Sequence, residues 1–156
     1  MPDVVDQITR SRMMSGIKGK NTDPEIQIRR ALHARGFRFR LHSSDVPGKP
    51  DVVLPKYRAA VFVHGCFWHG HDCPLFRMPG TRQEFWREKI ERNRKRDQTV
   101  QQQVADAGWR SMTVWECSIR GPQRLGLEET VTRIEGWLPD ASSQRSEIRA
   151  PRSEAA

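Results

Sequence analysis

Residues 64–73 read HGCFWHGHDC and hold three of the chain's five histidines and two of its three cysteines. The third cysteine, Cys117, lies far downstream. An odd cysteine count in a chain whose first residues, MPDVVDQITR, carry no apolar leader argues against a disulfide framework. A structural zinc ion takes four Cys or His ligands in a tetrahedron. Three thiols and one imidazole make such a set, and assembling it forces the 66–73 loop against the segment around Cys117. Cys66-x4-His71-x-Cys73 departs from the usual finger spacings, and spacing leaves open whether His69 or His71 completes the set. The imidazole left over is suited to general-base work near neutral pH. Buried free thiols beside a surface histidine are the plain alternative.

The elements around this block follow from periodicity and capping. Thr22 and Glu25 form a capping box, or Asp23 caps with Pro24 at the first helical position. Either way a helix starts near residue 23 and stops at Gly36. FRFRLH, residues 37–42, alternates as a half-buried strand. SSDVPGKP is a loop, DVVL a short strand from Asp51, and YRAAVFVHG resumes after Pro55 as its hairpin partner. Residues 81–107 read as one long helix closed by Gly108, with Trp86, Ile90, Val100, Val104 and Ala107 on its apolar stripe. Asn93 and Asp97 interrupt that stripe. Buried polar groups need partners, so this turn is expected beside a polar site. WRSMTVW is a strand ending at Glu116-Cys117, and residues 123–138 form an amphipathic helix. The expected class is α/β, a mixed sheet flanked by helices. Residues 1–20 form an arm, 21–139 the domain, and 140–156, rich in serine, arginine, glutamate and alanine, a disordered tail.

The formal charge of +8 favours a polyanionic partner, and nucleic acid is the commonest. Arg10, Arg12, Lys18 and the Arg92–Arg96 run are the expected phosphate contacts. No run of 18 apolar residues occurs, so no membrane is expected and the cytoplasm is the default location. If the two hairpin strands pair, Asp51 and His64 approach one point, and Glu25 adds a second carboxylate. One or two carboxylates with water and substrate phosphate suit magnesium, although an aspartate in a lone Pro-Asp is more often a turn or cap residue.

P-G-K-P-D at 47–51, F-V-H-G-C-F-W-H-G-H-D-C at 62–73, T-R-x-E-F-W at 81–86 and W-E-C at 115–117 together resemble the very short patch repair endonucleases, in order across residues 8 to 138. The resemblance implies a restriction-endonuclease-like fold with a structural zinc site. It also implies a magnesium-dependent nick 5′ of the thymine in T·G mismatches left by 5-methylcytosine deamination, which starts repair. The substrate is duplex DNA, and the implied functional links are to a cytosine-5 methyltransferase and to mismatch-repair proteins. The chain is expected as a monomer in the cytoplasm, at the nucleoid.

Carried over residue by residue, Asp51 and the backbone carbonyl of Val63 bind magnesium, His69 is the general base, and His64 and Glu25 orient water. Cys66, His71, Cys73 and Cys117 match the zinc set, which gives the fourth ligand to His71. Phe67, Trp68 and Trp86 match aromatics that wedge into the duplex, and Met14, with Ile17 beside it, belongs to an N-terminal helix entering the opposite groove. Phe62-Val63-His64 stands where many restriction-type nucleases carry an acid-x-Lys, and Gly70 and Asp72 stand where relatives carry histidines. A restriction-type endonuclease with another target and a non-catalytic zinc-stabilised DNA-binding protein are the alternatives.

Overall fold

Four strands form one mixed sheet in the spatial order β1-β2-β3-β4 in the computed structural model, which describes residues 22–152. The expected DNA contacts Arg10, Arg12, Met14, Ile17 and Lys18 lie outside the described residues. Helix α1 spans Asp23–Ala34, with Thr22 at its N-cap, Pro24 in its first turn and Gly36 past its end at φ 94°. Strand β1 (Val52–Leu54) pairs antiparallel with β2 (Ala59–His64) across a single 3-10 turn at Pro55–Tyr57. The long helix α2 (Gln83–Asp106) then crosses over to β3 (Arg110–Trp115), which runs parallel to β2 with His64 opposite Trp115. Parallel strands require such a crossover. Helix α3 (Leu127–Trp137) follows, and β4 (Arg145–Ile148) closes the sheet parallel to β3.

The parallel β2–β3 register is what builds the site. Both strands end at the same edge, so the loop after His64 and the turn after Trp115 leave the sheet side by side. The sheet is buried on both faces. Ile28, Leu32, Val61, Met112, Val131 and Ile134 pack α1 and α3 on one side. Val53, Ala60, Phe62 and Val104 pack α2 on the other. Among the described residues no helix is long and apolar enough to cross a membrane.

Two expectations are corrected. Residues 37–42 form a single antiparallel bridge, Arg40 to Val53, in place of a strand. Phe37 and Phe39 are half-buried as the alternation requires, but Leu41 is exposed and His42 turns the chain away at φ 47°. The expected disordered tail contains β4, an edge strand whose one buried residue is Ile148. Composition misses it because its order comes from neighbours. Its ladder is supplied by β3, and the buried Arg110 guanidinium gathers the carbonyls of Tyr57, Leu138 and Asp140 at 3.1, 2.6 and 3.2 Å, fixing the turn that leads into it.

Candidate active site and metal centres

Three groups of polar side chains line up along the sheet edge. The first holds Glu25, His42 and Asp51, whose donor atoms all lie within 4.8 Å of one another. Glu25 sits in the first turn of α1, buried, and accepts from Arg29 at 2.8 Å. Asp51 precedes β1, and its Oδ2 accepts the Val63 N–H of β2 at 2.6 Å, so the carboxylate is set by the hairpin register. His42 Nε2 stands 3.6 Å from Glu25 Oε2 and 3.6 Å from Asp51 Oδ1. Burial, and then the neighbouring Glu25, push the Asp51 carboxyl up to about 8. Burial and the facing Glu25 work against a charged Asp51 although Arg29 pairs with Glu25 and Lys49 and Arg96 line the same cleft. Two carboxylates held together, with oxygen donors predominating, fit a hard divalent cation. The cleft of about 260 Å³ is lined by Glu25, Asp51, Val63, His64, His69 and Asp97 among others. His42 carries no mark in the sequence. In the 37–42 alternation it falls on the arginine side, where a solvated residue is expected.

The second group is His64, His69 and Asp97. The two imidazoles stack at 3.9 Å with their planes 2° apart. His69 Nδ1 pairs with Asp97 Oδ2 at 2.5 Å. Burial, and then the adjacent His69, hold His64 down to about 3, so it is neutral across the physiological range. Asn93, one turn before Asp97 on α2, donates to the Trp68 carbonyl at 2.8 Å. The two polar residues that broke the helix stripe therefore reach the 66–73 loop, one to its backbone and one to its imidazole. A carboxylate on Nδ1 fixes the ring and leaves Nε2 as its working nitrogen.

The third group is Cys66, His71, Cys73 and Cys117, again with donor atoms within 4.8 Å. The loop is folded back on itself by the His71 N–H to the Cys66 carbonyl at 2.9 Å and the Cys73 N–H to the His71 carbonyl at 2.9 Å. Cys117 Sγ lies 3.6 Å from His71 Nδ1. A hydrogen bond from Cys66 holds the Cys117 thiol down to about 4, while Cys66 is pushed up as the donor of that pair. Buried thiols sharing protons around one imidazole are the donor set that a tetrahedral zinc ion takes. The geometry puts His71 with the thiols and His69 with the carboxylate. Gly70, between them, sits at φ 61°, and a Cβ there would lie 2.6 Å from Ile90 Cγ2. This left-handed turn sends the two histidines to opposite sides, and glycine makes it without pressing on the Ile90 methyl.

Phe67, Trp68 and Trp86 form a triangle with ring centroids 5.1, 5.4 and 5.8 Å apart, and all three are half-buried. Phe76 stacks on Phe67, and Phe85, exposed, meets Trp86 edge-on. The rings thus make a half-exposed block joined to His69 by one peptide bond. Arg92, Arg94, Lys95 and Arg96 are exposed along α2 beside them.

The family model described as DNA mismatch endonuclease Vsr matches residues 2–75. The chain is 43% identical over 138 residues to DNA mismatch endonuclease Vsr of Escherichia coli (strain K12), covering 88% of each chain. It is 46% identical over 119 residues to Type II nicking enzyme V.XorIIP of Xanthomonas oryzae pv. oryzae, covering 76% of this chain and 88% of that one. Type II nicking enzyme V.NmeAIP of Neisseria meningitidis is 40% identical over 141 residues, 90% and 99% of the two chains.

Proposed function

This chain belongs to the Vsr family of DNA mismatch endonucleases, and from that membership and the geometry of the cleft we infer a magnesium-dependent enzyme that nicks one strand 5′ of the thymine in a T·G mismatch. The observation that carries the reading is the continuity of the 64–73 segment. It runs from a cleft imidazole, through a block of half-exposed rings, to a second cleft imidazole, and its ends are tied by the thiol cluster. Recognition by ring insertion and proton transfer at phosphate are coupled through this one short segment. A restriction-endonuclease-like fold is the reading of the mixed sheet, with the cleft at its edge.

Asp51 and the Val63 carbonyl are the groups that would hold magnesium, and Cys66, His71, Cys73 and Cys117 those that would hold zinc. Magnesium supplies positive charge for the phosphodiester and for the departing 3′ oxygen. His69 takes the proton of the attacking water at Nε2, while Asp97 at Nδ1 holds the ring and steadies the imidazolium that forms. His64, neutral and stacked on His69, orients water, and Glu25, beside Asp51, does the same. Phe67, Trp68 and Trp86 enter the base stack. Unstacking costs a few kcal/mol, least at a mismatch, and ring–base stacking returns about 1–3 kcal/mol per base. Met14, with Ile17, acts from the other groove, and Arg10, Arg12, Lys18 and the α2 arginines contact phosphates. The 5-methylcytosine origin of the mismatch ties the enzyme functionally to a cytosine-5 methyltransferase and to mismatch-repair proteins. The enzyme acts as a monomer in the cytoplasm.

Incubation with a library of T·G duplexes in varied sequence contexts, with and without magnesium, tests the reading. A mapped nick 5′ of the mismatched thymine is expected. Cutting of fully paired duplexes at equal rate would move the chain to the restriction-type alternative, and binding without any cut would make it a non-catalytic binder.

A further inference from the structure

The thiol cluster is contacted from a segment that neither the cleft nor the aromatic block uses. Strand β4 places Ile148 opposite Val114, so the residues after it arrive beside the turn that carries Cys117. Ala150 is buried against Cys66 and Cys117, and its N–H donates to Cys117 Sγ at 3.3 Å. Arg149, its side chain 14% exposed, donates from Nη1 to the Asp72 carboxylate and from Nη2 to the Asp72 carbonyl at 3.1 Å. Asp72 lies between His71 and Cys73, and its Oδ1 stands 3.7 Å from His71 Nε2, a buried nitrogen with no hydrogen-bond partner among the described residues. Trp115, stacked on the His71 ring at 3.9 Å, donates its indole N–H to Glu147 of β4 at 3.0 Å. The C-terminal segment therefore holds one thiol directly and braces the imidazole twice, through Asp72 and through Trp115.

We propose that residues 145–152 are a strap that locks the cluster and sets the rate at which its metal ion leaves, a role that rests on reading the cluster as a zinc site. Three thiolates and one neutral imidazole around a divalent cation carry net negative charge, which the Ala150 N–H and the Arg149 guanidinium offset from outside. Metal loss begins when one ligand swings away and is protonated. Cys117 cannot do so without breaking its bond to Ala150, nor can the 71–73 loop without pulling Asp72 from Arg149. Exposed ion pairs alone are weak. This pair is fixed by a second bond to backbone and by the buried stem of Arg149. Partners that orient metal ligands are commonly worth about 10- to 100-fold in metal affinity.

The test uses the full chain loaded with zinc and mixed with excess chromogenic chelator, so that release is read directly. Arg149→Ala and Asp72→Ala are each expected to release zinc about 10- to 100-fold faster than the parent, with unchanged far-ultraviolet circular dichroism before release. The double variant should accelerate release by less than the product of the two single effects, because the two residues share the Arg149–Asp72 side-chain contact. Arg149→Lys keeps the charge but loses the two-point bond and should fall between parent and Arg149→Ala. Release within about twofold of the parent for both alanine variants would overturn the strap while leaving the zinc reading intact. A parent chain that carries no zinc, and takes up none when it is added, would overturn the zinc reading and the strap with it.

Discussion

Replacing Asp51 by asparagine should make the magnesium-free protein more stable while abolishing nicking. The Asp51 carboxyl rises from 3.8 to about 8, chiefly through burial and then through Glu25. An acid raised on folding keeps its proton in the folded chain at pH values where the unfolded chain has lost it. Its contribution is fully present below about pH 4 and is lost as pH climbs toward 8, at up to about 1.4 kcal/mol per pH unit. Between pH 5 and pH 7.5 the loss is therefore about 3 kcal/mol. Asparagine preserves the shape and, through its side-chain oxygen, the acceptor for the Val63 N–H, but it does not titrate. Thermal unfolding of both proteins in magnesium-free buffer, followed by circular dichroism across this range, is the assay. The variant's advantage in Tm should be larger at pH 7.5 than at pH 5 by roughly 6–12 °C, taking about 2–4 °C per kcal/mol for a chain of this size. Magnesium should raise the parent's Tm at pH 7.5 and leave the variant's unchanged. A Tm difference that does not move with pH would show that the cleft tolerates the charged carboxylate unaided, and the argument for a cation there would fail.

Asp97→Asn should leave mismatch binding intact and lower kcat by about 10²- to 10⁴-fold, the usual worth of a positioned acid–base pair, and His69→Ala should do at least as much; single-turnover nicking near the parent rate in either would remove that residue from the proton-transfer step. Gly70→Ala meets both a left-handed backbone and the Ile90 methyl, so chemical denaturation should show a loss of about 1–3 kcal/mol, and parental stability would mean that the loop turn is not held as described. Duplex affinity should fall steeply with salt, with the log–log slope reduced by about one for each phosphate-contacting arginine removed from Arg92, Arg94 and Arg96; a flat salt profile in filter binding would exclude the α2 face from the duplex.

The chemistry of the donor set, the boundaries of α1, β1, β2, α2 and β3, and the positive charge were all legible in residue order. Each depends on spacing within one element or on composition. Even the broken stripe of α2 was legible as a need, since Asn93 and Asp97 on a buried face require partners. Which partners they find depends on the parallel register that sets His64 opposite Trp115 and so fixes where the 66–73 loop lies. The same register, with the left-handed turn at Gly70, separates His69 from His71, a choice that spacing left open because both histidines lie in one irregular loop. His42 reaches Glu25 and Asp51 through a turn at positive φ that no periodicity announces. Strand β4 was hidden because one buried isoleucine anchors it and a neighbouring strand supplies its ladder. Sequence alone thus determined which groups the chain brings to its chemistry. Tertiary packing decided their grouping, because distances between elements are set by strand register and by the buried contacts that hold it.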